Sequence, residues 1–220
     1  PYTQPRMEMA VAAARSPAGA LAAGRHGIGM LSIGGTTHES MTHHAGNWDL
    51  YAEQCSLHGH VPDRKNWRLV TMMHIAETRE KAQANVKHGL DNYCDYYRDV
   101  ATFPLVPADV TDRLDYMLKS GMACIGTPDD AIAFIERLQK GTGGFGVIME
   151  LAQNWADWEQ TKRHYELMAR YVHPHFQQTR EWRTASYDFA REHHEAFMSQ
   201  SHAAIRAEID KLAEQRKAGG

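Results

Sequence analysis

The sequence has few cysteines and no long apolar segment. Only three cysteines, Cys55, Cys94 and Cys124, occur among 220 residues, and their odd number and wide spacing favour reduced thiols over a disulfide-stabilised framework. Reduced thiols of this kind are typical of cytoplasmic proteins, and we expect that location. No apolar run approaches the length of a transmembrane helix and no signal peptide is visible, so the sequence predicts no association with a membrane.

The sequence also lacks a strong charge of either sign. The formal net charge is −3 and the basic residues are scattered, which predicts no nucleic-acid partner. Histidine is plentiful, with 14 residues, but neighbours such as His43 and His44 would point apart on a helix. Neither an HExxH motif nor any other set of ligands at metal-binding spacing occurs, so the sequence predicts no metal site.

Short apolar runs alternate with helical segments along the chain. Four runs predict strands, at Met7–Ala14, Ile28–Ile33, Trp67–Ala76 and Val147–Met149. Helices are expected over residues 18–25, 44–58, 77–90, 110–119, 128–138 and 155–171. This α/β alternation indicates a parallel sheet. Four such strands could be half of a (β/α)8 barrel or a small doubly wound sheet, and periodicity alone does not choose between them.

Two regions depart from this alternation. The segment near residues 91–121 precedes the last strand and is expected to be an insertion, aromatic and irregular over residues 91–108. Residues 181–217 have a helical pattern without any strand signal. We therefore expect a domain at residues 1–176 and a helical C-terminal extension at residues 177–220.

The first strand–loop–helix unit carries the clearest binding signal. Ser16 is a favourable N-cap residue and Pro17 suits the first helical position, so a helix is expected to begin there. Exposed backbone N–H groups at a helix start can bind an anion, and Gly19 would let a phosphate approach closely. The alternative is that Ser16 only caps the helix and that Arg15 is a surface residue at a strand end.

Four segments occur in an order and spacing that resemble one family. They are MAVAAARSPAGALAAGRHG at 9–27, the helix start GTPDD at 126–130, GGFGVIM at 143–149, and WADWEQTKRHYELMARYVHPHF at 155–176. The set resembles the C-terminal part of the bacterial-luciferase-like flavin-dependent monooxygenases, especially the limonene-monooxygenase-like subgroup. The resemblance extends from the start of the chain to about Phe176.

The resemblance implies a (β/α)8 barrel of which this chain holds the C-terminal half, about four parallel strands beginning at the fifth. It implies a truncated two-component monooxygenase that uses reduced FMN from a separate flavin reductase, together with O2, on a small apolar organic substrate. F420 is the alternative cofactor, in an oxidoreductase of the same superfamily. A non-catalytic flavin-binding or structural relative is the alternative function. Because the edge strands of a half-barrel lack partners, we expect a homo-oligomer.

The family pattern also assigns binding roles to residues of this chain. In the family, the loop after the first of these strands supports the flavin phosphate, and this role falls on Arg15, Ser16 and Gly19. The end of the next strand faces the flavin ring, which corresponds to Ile33 and Gly34. Residues that shape the reactive side of the flavin come largely from earlier strands, so the resemblance identifies no catalytic residue here.

Two further features have alternative interpretations. His74 lies late in a predicted strand, where catalytic side chains emerge in barrels, but we favour a hydrogen-bonded histidine of the core. The aromatic residues of the insertion could line a substrate entrance beneath a mobile lid, or they could pack the insertion onto the barrel. They are Tyr93, Tyr96, Tyr97 and Phe103.

Overall fold

The computed structural model describes residues 2–4, 7–101, 103–177 and 179–218. These residues form two compact units, the first ending at Val172 and the second beginning at His173. The domain boundary expected after residue 176 lies four residues beyond this point. All strands of the described residues belong to the first unit.

Six strands occur among the described residues of the first unit. They are β1 (Ala10–Ala13), β2 (Gly29–Ser32), β3 (Trp67–Thr71), β4 (Met73–Ile75), β5 (Cys124–Gly126) and β6 (Val147–Glu150). The main sheet has the order β1-β2-β3-β6, and every neighbouring pair is parallel. The four predicted strands thus lie side by side in sequence order, which confirms the predicted fold class of α/β with parallel strands.

Seven α-helices lie between or after these strands among the described residues of the first unit. They are α1 (Ala18–His26), α2 (His38–Leu57), α3 (Arg79–Val86), α4 (Leu90–Asp99), α5 (Arg113–Ser120), α6 (Pro128–Thr142) and α7 (Trp158–Leu167). The helix α2 begins six residues before its predicted start, because the Thr37 hydroxyl accepts a hydrogen bond from the Ser40 N–H and caps it there. The prediction of an irregular stretch at residues 91–108 is wrong for its first half, because these residues form α4.

The predicted third strand is also divided in two. It breaks at Met72, so that β3 pairs with β6 while β4 pairs with β5 in a separate two-stranded sheet. Met72 is buried in a hydrophobic cluster that also contains residues of the insertion, instead of continuing the main sheet. The strand β5 has only three residues, too few for a period of two to be recognised in the sequence.

The two faces of the main sheet differ in burial. On the face covered by helices, Met30, Trp67 and Leu69 are fully buried, and Trp48 of α2 stacks on Trp67 with ring centroids 4.9 Å apart. We call the opposite side the inner face. The pairing of the four strands puts the following residues on the inner face: Ala10, Ala12, Leu31, Arg68, Val70, Val147 and Met149. All of them are partly or largely exposed, so the sheet is open on one side.

Residues of the insertion such as Met117 share a hydrophobic cluster with residues outside the insertion, including Val86, Ile125 and Trp155. Tyr93 meets the fully buried Trp155 edge-on, with ring centroids 5.6 Å apart. Tyr96 and Phe103 are more than half exposed. Packing therefore accounts for Tyr93, whereas the other two rings remain at the surface.

The second unit contains only helices among its described residues. They are α8 (His173–Phe176), α9 (Thr179–Glu192) and α10 (His194–Ala218). The rings of Phe189 and His193 stack at 4.1 Å where α9 gives way to α10. Nowhere in the described part of the chain is a helix both long and apolar enough to cross a bilayer.

Candidate functional site

The carboxyl ends of β1 and β2 meet at one edge of the sheet. The N–H of Ile33 donates to the carbonyl oxygen of Ala13 at 2.9 Å, one residue past the regular register. Gly34 follows with φ +118°, a conformation that favours glycine, and a Cβ there would lie 3.8 Å from the Cα of Ala14. The structure thus places Gly34 beside the beginning of the loop that carries Arg15 and Ser16.

The start of α1 differs from its prediction by one residue. Pro17, not Ser16, occupies the N-cap position, and its backbone is already helical at φ −70° and ψ −14° because the ring fixes φ. The Ser16 hydroxyl accepts a hydrogen bond from the Ala18 N–H at 3.3 Å. Arg15 and Ser16 are exposed at this edge, so their side chains are available to a ligand.

Gly19 has a packing role that sequence reasoning did not provide. A Cβ at this position would lie 2.2 Å from the carbonyl oxygen of Ala12 and 2.9 Å from the Cα of Ala13. The missing side chain therefore lets α1 lie close against β1. The first backbone hydrogen bond of α1 runs from the Leu21 N–H to the Pro17 carbonyl, so the Gly19 N–H has no acceptor within the helix.

The loop after β2 is attached to two other parts of the molecule. The Thr36 hydroxyl lies 2.7 Å and 2.9 Å from the carbonyl oxygens of Gly121 and Met122. Arg137 of α6 donates to the carbonyls of Thr36 and Gly121 at 3.0 Å and 3.1 Å, and burial lowers the pKa of its guanidinium. Sequence reasoning missed both Thr36 and Arg137, since Thr36 meets carbonyls 85 and 86 residues away and is itself 101 residues from Arg137.

His74 lies in a buried polar cluster and not at the open edge. It is 3% exposed, its ring stacks on that of His164 at 5.4 Å, and its Nε2 lies 3.2 Å from the amide nitrogen of Asn85. Burial, and then the neighbouring His164, lower the pKa of His74 to about 4. This geometry agrees with the interpretation of His74 as a hydrogen-bonded histidine of the core.

His164 completes that cluster on the helix side of the sheet. Its Nδ1 accepts the Ile75 N–H at 3.0 Å, so the ring proton resides on Nε2, which donates to the carboxylate of Glu150. Glu150 pairs with Thr71 in the register and therefore points away from the inner face. Within the described residues, no group of three His, Cys, Asp or Glu side chains is placed to hold a metal ion.

The inner face is almost entirely apolar. Arg68 is its one charged side chain among the described strand residues, and it pairs with Glu8 at 3.0 Å near the amino ends of the strands. The carboxyl-end half of the face presents Leu31, Val70 and Met149, which carry no group able to transfer a proton. This surface suits an apolar ligand held next to the edge that carries Ser16 and Gly34.

Comparison with known proteins agrees with this architecture. No family model matches the chain. The chain is 36% identical over 176 residues to limonene 1,2-monooxygenase of Rhodococcus erythropolis, a match that covers 80% of this chain and 45% of that protein. It is 32% identical over 190 residues to 4-hydroxyprotoasukamycin monooxygenase of Streptomyces nodosus subsp. asukaensis, covering 84% of this chain and 51% of that protein. The chain thus spans about half the length of these curated relatives.

Two solved structures share the fold. The monooxygenase RslO1 from Streptomyces bottropensis aligns with a TM-score of 0.62 and 23% identity, over 80% of this chain and 50% of that one. The oxygenating constituent of 3,6-diketocamphane monooxygenase from Pseudomonas putida, a type II Baeyer-Villiger monooxygenase solved with FMN, aligns with a TM-score of 0.60 and 24% identity. That match covers 76% of this chain and 48% of that one. Over about four fifths of its length, this chain is a homologue of the luciferase-like flavin monooxygenases.

Proposed function

We propose that this chain forms the flavin-phosphate end and one inner wall of a two-component, FMN-dependent monooxygenase. The observation that carries the proposal is the exposed edge where the loop before α1 lies beside Gly34, in a chain homologous to monooxygenases over 80% of its length. A relative of this fold is known in complex with FMN. A flavin reductase would supply the reduced cofactor, and O2 would be the co-substrate.

The residues at this edge fit a flavin. Arg15 offers a cation, and the Ser16 hydroxyl and the Gly19 N–H lie at the exposed start of α1, where a helix favours negative charge. Ile33 and Gly34 lie one strand away, and Gly34 brings no side chain that would keep an aromatic ring from the backbone. We therefore assign Arg15, Ser16 and Gly19 to the phosphate, and Ile33 and Gly34 to the ring.

Reduced FMN, when bound, would supply the activation of O2. The residues of this chain would hold the phosphate, orient the ring and exclude water with the apolar inner face. That face suits a small apolar organic substrate such as limonene, which the name of the Rhodococcus erythropolis relative gives as its substrate. The three cysteines are unpaired and buried, as suits a reducing compartment, and we propose a cytoplasmic location.

Flavin titration tests this function directly. We expect FMN to bind about tenfold or more tightly than riboflavin, because only FMN carries the phosphate. Arg15→Ala should reduce this preference to within about threefold, whereas Arg25→Ala, an equal charge change at the far end of α1, should leave it intact. Equal affinity of the parent chain for FMN and riboflavin would refute the phosphate assignment, and tighter binding of F420 would identify the alternative cofactor.

A flavin-binding protein without turnover is the second candidate. It is favoured by the absence of a proton-transferring side chain on the carboxyl-end half of the inner face, among the residues that the structure describes. The two candidates differ in product formation. Incubation with reduced FMN, O2 and limonene should yield oxygenated limonene from a monooxygenase, and only reoxidised flavin from a binding protein.

A further inference from the structure

Two polar side chains of α2 are buried against the loops of the candidate site. Asn47 is 5% exposed, and its amide donates to the carbonyl oxygen of Ala14 at 2.8 Å. His44 is 2% exposed, and its Nε2 lies 3.0 Å from the carbonyl oxygen of Gly35. Because a carbonyl only accepts, the histidine proton must reside on Nε2.

The two side chains are three residues apart and share one face of α2. Burial of polar groups on the core side of a helix is unfavourable unless each group is hydrogen-bonded. Neither group bonds to its own helix. Each one bonds to a backbone carbonyl in the loop that follows a strand, Ala14 directly after β1 and Gly35 shortly after β2.

These two carbonyls belong to different ends of the proposed flavin site. Ala14 precedes Arg15 and Ser16, the residues assigned to the phosphate, and Gly35 follows Gly34, assigned to the ring. A single helix thus holds both loops. This helix, α2, is 20 residues long and is fixed at its start by the Thr37 cap. Ser40 adds a third bond, from its hydroxyl to the Gly34 carbonyl at 3.1 Å.

We propose that His44 and Asn47 are positioning residues for the flavin, Asn47 for its phosphate end and His44 for its ring end. The proposal rests on the proposed function, since it concerns the same site. Neither side chain would touch the flavin. Each would act through the loop that it holds, so loss of the hydrogen bond should loosen one loop and leave the other in place.

The division of roles predicts different ligand responses for the two variants. Asn47→Leu keeps the approximate shape but removes the donor, and it should weaken FMN binding about tenfold while changing riboflavin binding less than about threefold. His44→Phe keeps a ring but removes the N–H, and it should weaken FMN and riboflavin binding by the same factor, again about tenfold. General destabilisation of the fold would not separate the two ligands in this manner.

Two further variants control for folding. His44→Gln retains an N–H donor near the same position and should recover most of the lost affinity. Thr142→Val removes a different buried hydroxyl, which donates to the Leu138 carbonyl at the far end of α6, and should change neither affinity. Amide hydrogen exchange supplies a readout without ligand: Asn47→Leu should accelerate exchange in residues 14–19, and His44→Phe in residues 33–37.

The outcomes separate the two proposals. Binding of FMN by the parent chain with the predicted division between variants supports both. The positioning roles are overturned, and the proposed function stands, if the parent chain binds FMN and both variants bind it with unchanged affinity. The same holds if Asn47→Leu loses as much affinity for riboflavin as for FMN. If the parent chain binds no flavin, the proposed function fails. Faster amide exchange confined to the predicted loop of each variant would then still show that His44 and Asn47 hold these loops. Exchange that is unchanged, or faster throughout the protein, would overturn that role.

Discussion

At the scale of single residues, Gly19 illustrates how one missing side chain sets a helix against a strand. We predict that Gly19→Ala lowers the free energy of unfolding by about 1–3 kcal/mol, because the new Cβ would meet the rigid backbone of Ala12 at 2.2 Å. Gly46→Ala is the matched control. This position lies inside α2, exposed and with nothing within 4 Å of an added Cβ, so alanine should stabilise by about 0.5–1 kcal/mol. Urea unfolding measures both changes, and equal effects would contradict the packing role.

The role of a buried histidine likewise depends on the groups around it. His74 and His44 are both buried, and burial lowers the pKa of each imidazole. His74 serves the buried cluster around His164, whereas His44 holds a loop of the candidate site. Identical side chains therefore differ in role because of the carbonyl or ring that each one meets, which no local pattern reveals.

At the scale of elements, the start of α6 is fixed by a reciprocal capping box. The Thr127 hydroxyl accepts the Asp130 N–H, and the Asp130 carboxylate accepts the Thr127 N–H at 2.9 Å. We predict that Thr127→Ala lowers the free energy of unfolding by about 1 kcal/mol. Asp129→Ala, which removes an exposed acidic residue of the same turn, should change it by less than about 0.5 kcal/mol.

The same cap has a defined pH range. Hydrogen bonds from Arg79, and then from Thr127, lower the pKa of Asp130 to about 2. Because the folded carboxyl titrates below its unfolded pKa of about 3.9, its contribution is present above that value and is lost as the pH falls toward 2. The stability difference between parent and Thr127→Ala should therefore persist at pH 5 and shrink below pH 3. A constant difference would show that the Asp130 carboxylate does not interact with the Thr127 hydroxyl, the only group of the cap that the substitution removes.

At the scale of the whole molecule, we expect the open sheet to control how the chain behaves in solution. Among the described strands, β1 and β6 each have one neighbour only, and Val147 and Met149 of the inner face are 38% and 41% exposed. Unpaired strand edges and exposed apolar faces promote association. We predict that the 220-residue chain on its own forms oligomers or aggregates, as measured by light-scattering chromatography.

Charge placed on the inner face tests the cause of this association. Val147→Lys and Met149→Lys together should increase the monomer fraction, since burying two ammonium groups between associated sheets is unfavourable. Ala133→Lys on the exposed surface of α6 is the control and should have little effect. A sharp monomer peak for the parent chain would refute the prediction and favour the non-catalytic flavin-binding candidate.

The sequence by itself determined the features that depend on neighbours along the chain. Apolar runs of buried-strand type predicted four parallel strands in order, and the cap residues of GTPDD predicted the start of α6, because both signals lie within a few residues. The order of the four quoted segments also indicated the family correctly. For the candidate site, the sequence located the two loops but placed the N-cap at Ser16, one residue before the observed Pro17.

Only the tertiary structure decided the features that join distant residues. The break at Met72 coincides with a change of partner, from β6 beside β3 to β5 beside β4, and those partners lie more than 50 residues further along the chain. The packing role of Gly19 depends on the approach of α1 to β1, and Asn47 reaches a carbonyl 33 residues away. Such contacts are set by the way helices pack on a sheet, and a side chain's identity gives no information about which distant carbonyl it will meet.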